Sequence, residues 1–102
     1  MRKLPPLPKH VHTVLGRVPV TVVVHPRLSD ADDMLFGFAK YSTREITVEK
    51  ETTLTTQWHT LIHERVHYAL WDAGVHNLLS KDQVEAVCDA VATARVAEML
   101  SE

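Results

Sequence analysis

The sequence predicts an α+β domain, in which a small antiparallel sheet of three to four strands is followed by two packed helices. Three observations carry this. Short β-branched segments bounded by turn residues fill the first half of the chain. Two long stretches with apolar residues at helical spacing fill the second half. A single short link joins those two stretches, which brings them back against each other.

The elements follow in chain order. The start, MRKLPPLPKH, carries Pro5, Pro6 and Pro8 and reads as a flexible, extended lead-in over residues 1–9. Residues 10–102 then make one minimal domain. His10–Leu15 alternates weakly and runs into a turn at Gly16–Pro19. Pro19–His25 is rich in β-branched residues and reads as a strand. His25–Asp33 is a polar loop. Leu35–Ser42 and Arg44–Lys50 are two further strands, joined closely enough at Ser42-Thr43-Arg44 for a hairpin. In the second of them Ile46 and Val48 alternate with Glu45, Thr47 and Glu49.

The first helix is expected from about Leu54 to Ala73. Trp58, Leu61, Ile62, Val66, Ala69, Leu70 and Ala73 recur at helical spacing, and Gly74 supplies the C-terminal stop. The second is expected from about Lys81 to Leu100, opened by a capping box of Ser80 with Gln83. Its apolar stripe reads Val84, Val87, Cys88, Val91 and Met99.

Composition narrows the function classes. The chain has 102 residues and a net charge of −2, which lacks the basic footprint of a nucleic-acid binder. No apolar run approaches the ~18 residues of a membrane span. No apolar core of a secretion signal follows the basic start. The single cysteine, Cys88, forms no internal disulfide and suits a reducing compartment. The expectation is a cytoplasmic protein with neither nucleic-acid nor membrane partners. Cys88 falls on the apolar stripe and reads as a small core residue rather than a ligand or nucleophile.

The chemistry-bearing stretch is HTLIHERVHYALWDAG, His59–Gly74. Residues four apart on a helix lie one above the other, so His63 and His67 present two imidazoles to one metal ion. Glu64 is rotated by ~100° and falls outside that ligand pair. It still reaches a water on the metal. This is the H-E-x-x-H arrangement of two zinc ligands and a general base. His59 shares the face but sits ~12 Å along the axis from His67 and reads as a surface or channel residue.

A catalytic zinc takes a third protein ligand. Glu85 is the best candidate: it lies near the start of the second helix, off the apolar stripe, and the short link folds it back beside the first. His76, in the link, is a weaker candidate for the same role. Asp89, one turn beyond Glu85, is placed to accept the spare N–H of a ligand histidine.

HERVH followed by EAVCD resembles the gluzincin pattern, H-E-x-x-H then E-x-x-x-D on the next helix, of thermolysin-like peptidases. From about Leu15 onward the chain is also similar to very small phage- and prophage-type metallopeptidases. The resemblance implies one Zn2+ held by His63, His67 and Glu85, with Glu64 as the general base and Asp89 supporting His63. It also implies cleavage of peptide or amide bonds in a peptide or protein substrate. Such a substrate lies along an edge strand, for which Phe36–Ser42 is the candidate. Tyr41, Tyr68 and His76 are candidate substrate or oxyanion groups by residue type. The pattern departs at Arg65, where an apolar residue is usual; a pair with Asp72 would let it sit there. The competing reading is a non-catalytic, zinc-stabilised interaction module, such as a phage factor acting on a host protein.

Overall fold

A computed structural model of the protein describes residues 3–12, 19–25, 37–50 and 52–102. Its strands are β1 (His10–Val11), β2 (Val20–His25), β3 (Gly37–Lys40) and β4 (Glu45–Glu49). Helix α1 (Leu54–Asp72), a 3-10 turn (His76–Leu78) and helix α2 (Lys81–Ser101) follow. The expected turn at 16–18, the loop at 26–33 and the strand ends at 13–15 and 35–36 lie outside the described residues.

The fold is α+β as expected, but the sheet is mixed rather than antiparallel. Its order is β1-β2-β4-β3. β1 pairs antiparallel with β2, and β3 with β4. β2 and β4 run parallel, with Val22 opposite Ile46 and Val24 opposite Val48. The reason is positional. β3 skips to the outer edge, and the hairpin returns β4 into the space beside β2. Two reversals restore the direction of β2, and such a pairing needs a long connection. Burial explains the choice of centre, because Ile46, Thr47 and Val48 are all buried. Short β3, ending in an exposed lysine, takes the edge.

The Gly74 stop and the Ser80 capping box behave as read, and Thr53 adds a cap at the start of α1. The Thr53 hydroxyl caps α1 by accepting the Thr56 N–H at 3.2 Å. Gly74 (φ 76°) closes it: its N–H donates to the Trp71 carbonyl at 3.1 Å, and the Val75 N–H donates to the Leu70 carbonyl at 3.1 Å. This double bond pattern needs a left-handed residue, which glycine adopts without strain. At the start of α2 the Ser80 hydroxyl accepts the Gln83 N–H at 3.1 Å, and the Gln83 side chain accepts the Ser80 N–H at 2.8 Å.

α1 divides its surface three ways. Leu61 and Tyr68 point into the sheet, packing with Val20, Val22, Ile46 and Val48. Ile62, rotated by ~100°, packs with Ala92, Val96 and Met99 of α2. The remaining arc carries the histidines. On α2 the buried line is Val84, Cys88, Ala92, Val96 and Met99. The expected stripe members Val87 and Val91 are instead exposed. Each lies one residue before a buried position and so is turned ~100° away from it.

The N-terminal lead-in is extended, as its prolines imply, but it is anchored rather than loose. Leu4 is buried in the crease between α1 and α2. The Trp58 indole N–H donates to the Pro5 carbonyl at 2.7 Å. The Val22 N–H donates to the Lys9 carbonyl at 2.8 Å.

Gly37 sets how close the sheet edge comes to α1. A Cβ there would stand 2.5 Å from both the Thr47 carbonyl oxygen and Thr60 Cγ2. The glycine lets β3 press onto α1 one turn before Glu64. Among the described residues no helix is long and apolar enough to cross a membrane.

Candidate metal centre

The histidine arc of α1 faces the first turns of α2. His63 Nε2 and His67 Nε2 stand 3.2 Å apart. Both oxygens of the Glu85 carboxylate close the triangle, each 3.0 Å from one of those nitrogens. A tetrahedral zinc with bonds of about 2.0–2.1 Å to nitrogen and oxygen requires ligand atoms about 3.3 Å apart. The two nitrogens and the carboxylate oxygens beside them therefore already stand near the spacing of ligand atoms around one such ion.

His63 shows why these atoms call for a cation or proton between them. Asp89 Oδ1 lies 2.7 Å from His63 Nδ1, which fixes the ring hydrogen on that nitrogen. A ring with hydrogen on Nδ1 alone would turn a lone pair at Nε2 toward the Glu85 carboxylate, itself an acceptor. Two acceptors at 3.0 Å repel unless a positive charge lies between them.

Glu64 lies off the ligand triangle, with one carboxylate oxygen 3.7 Å from His63 Nε2. Burial pushes its pKa up to about 7; His63 pulls it down, while the Glu85 and Asp89 carboxylates add to the rise. Burial also holds His67 below the ordinary imidazole range, against the pull of Glu85. Both shifts are those of groups drawn into a low-dielectric crevice.

Two grooves flank the triangle. One, of about 620 Å³, runs along α1 and α2 from His63, Glu64 and Asp89 toward Thr93 and Leu100, and touches Gly37 at the sheet edge. His59 lines it, its Nε2 3.2 Å from the Thr93 hydroxyl. The other, of about 480 Å³, lies past His67 and Glu85 and includes Tyr41, His76 and Lys81. The His76 ring centroid is 6.1 Å from that of His67. Tyr41 stacks on Trp71, centroids 4.6 Å apart, and burial, reinforced by nearby Glu64, pushes its hydroxyl up to about 12.

The structure thus brings together His63, Glu64, His67, Glu85 and Asp89, and sets Tyr41 and His76 on one flank. Tyr68 does not join them. Its side chain is fully buried on the opposite side of α1. Its hydroxyl accepts the Glu45 N–H at 2.7 Å and faces the Lys40 and Glu45 carbonyls. It ties the β3–β4 hairpin to the helix and has no part in a substrate pocket.

The expected pairing of Arg65 with Asp72 also fails. Arg65 donates through Nε to the His12 carbonyl at 2.9 Å. Asp72 is held in a two-pronged pair by Arg44, at 3.0 and 2.9 Å. Arg44 occupies the hairpin turn in a left-handed conformation (φ 52°), which aims its side chain along α1.

One residue near the site was read only as core. The Cys88 sulfur and one ring nitrogen each of His63 and His67 all lie within 4.8 Å of one another. Cys88 is fully buried. Burial, followed by the charges of Glu85, Glu64 and Asp89, pushes its thiol up to about 12. The signal was present in the spacing: Cys88 follows Glu85 by three residues, on the same helical face.

No protein-family model, curated protein or solved structure matches this chain.

Proposed function

We propose that this protein hydrolyses peptide or amide bonds with one Zn2+ held by His63, His67 and Glu85. The observation that carries the proposal is the convergence of three donor residues from two helices at 3.0–3.2 Å, beside a carboxyl held at about 7. The likeness of HERVH…EAVCD to the gluzincin pattern supports the same reading.

Bound zinc would supply the Lewis acidity that activates a water and polarises a carbonyl. The chain's own residues do the rest. Asp89 holds the His63 ring in the tautomer whose Nε2 faces the ion. Glu64 takes a proton from the attacking water and returns it to the leaving amine. A carboxyl with a pKa near 7 serves both directions at neutral pH. β3, the outermost strand on its side among the described residues, offers main-chain groups along which an extended peptide aligns over the Glu64 side of α1. A cytoplasmic, phage-type setting belongs to this proposal, on the strength of the lone cysteine and the family likeness.

The same donor set supports a second reading. An ion bridging α1 and α2 would cross-link a small core, as in a zinc-stabilised interaction module. One variant separates the two. Glu64→Gln is expected to keep about one zinc, measured by native mass spectrometry, and to lose peptide-library cleavage by roughly 10²–10⁴-fold. His63→Ala and Glu85→Ala are expected to lose the metal. Cleavage by Glu64→Gln at the wild-type rate would refute the catalytic reading, and a wild type that takes up no added zinc would refute both.

A further inference from the structure

We propose that Cys88 is a fourth, sulfur ligand for the metal at His63, His67 and Glu85, giving the centre a closed form with no open position. The inference rests on the metal-site reading above and adds to it a ligand that the gluzincin pattern does not contain.

Three observations point to it. Cys88 shares a helical face with Glu85, and its sulfur lies within 4.8 Å of a ring nitrogen of each histidine. It is fully buried, so it meets the ion from inside the helix pair, while Glu85 meets it from the rim. With one Glu85 oxygen as ligand, His63, His67 and Glu85 would fill three of the four tetrahedral positions, which leaves a single further vertex.

Bond lengths make the movement small. With zinc–sulfur at about 2.3 Å and zinc–nitrogen at about 2.0–2.1 Å, a tetrahedral site places sulfur about 3.6 Å from each nitrogen. From the 4.8 Å limit, each sulfur–nitrogen separation has at most about 1.2 Å to close. In binding, the thiol S–H bond breaks, a metal–sulfur bond forms and the proton leaves to solvent.

The consequence is a choice between two coordination states. Four protein ligands make a structural site, and three with an open vertex make a site for hydrolysis. A centre of this kind stays silent until substrate or a partner draws the sulfur away. The thiolate also biases the site toward thiophilic ions over magnesium or calcium.

The test uses Co2+ as the probe and the full chain. Wild type titrated with Co2+ should develop the visible bands of a tetrahedral ion together with a near-ultraviolet sulfur-to-cobalt charge-transfer band. Cys88→Ser should lose the charge-transfer band and keep the visible ones. Zinc-edge X-ray absorption on wild type needs no variant, and should find one sulfur at about 2.3 Å beside lighter scatterers at about 2.0–2.1 Å. Visible bands with no charge-transfer band, or an absorption edge with nitrogen and oxygen alone, would overturn the sulfur ligand and leave the three-donor site standing. A wild type that binds neither ion would overturn both.

Discussion

Asp89 Oδ1 stands 2.7 Å from His63 Nδ1, on the side of the ring opposite the nitrogen that faces Glu85. One helix thus supplies both a donor of the proposed metal site and the group that orients a donor of the other helix. Asp89→Ala is expected to weaken zinc binding about 10–100-fold without abolishing it. Asp89→Asn, whose amide oxygen still accepts the ring N–H, should lose less. Competition against a chromophoric chelator reads both. A loss as complete as that of His63→Ala would make Asp89 a ligand in its own right.

Glu64 makes metal-free stability depend on pH. The folded chain holds this proton more tightly than the unfolded chain, because burial lifts the pKa to about 7. The stability it contributes is full below the ordinary carboxylate range and is lost as pH rises toward 7. Ionising the buried group costs about 3 kcal/mol on this basis. In chelator, wild type should therefore lose about that much more stability than Glu64→Gln between pH 4.5 and about 7.5. Urea unfolding across that range measures the difference, and parallel curves for the two proteins would contradict the shift.

Tyr68 is expected to matter for the fold and not for the metal. Tyr68→Phe removes a buried hydroxyl that accepts the Glu45 N–H at 2.7 Å and ties the hairpin to α1. The expected cost is about 1–3 kcal/mol, with zinc content unchanged. Chemical denaturation and metal analysis on the same sample decide this. Loss of zinc with full stability would return Tyr68 to the site.

Gly37 lets the sheet edge meet helix α1. Gly37→Ala brings a methyl to within 2.5 Å of the Thr47 carbonyl and of Thr60 Cγ2. A destabilisation of about 1–3 kcal/mol is expected. Adding Thr60→Ser removes the methyl clash but leaves the backbone one, so the double variant should recover only part of the loss. Full recovery would show that the β3 backbone moves freely there.

The parts of the molecule that were legible in the chain are those set by near neighbours. Helix limits, the capping box at Ser80 and the glycine stop at Gly74 depend on residues within one or two turns, and they lie where the sequence puts them. The pairing of His63 with His67 is equally local, since four residues on a helix are always one above the other. The nearness of Glu85 and Asp89 to those histidines was also readable, because the short link leaves α2 few ways to lie against α1.

What the sequence did not decide depends on distant partners. The parallel pairing of β2 with β4 follows from which strand buries best beside β2, a competition among whole strands that no local alternation records. Asp72 pairs with Arg44, 28 residues away, rather than with Arg65 about two turns back, because the hairpin turn delivers a guanidinium across the end of α1. Tyr68 looks like a site residue beside His67, yet one residue of helix rotates it by ~100° into the sheet core. The sequence by itself determined that two imidazoles and a carboxylate sit on one helix. Only the tertiary structure decided which atoms from the second helix complete the ring around them, because ligand geometry is a matter of tenths of an ångström and packing alone sets distances that fine.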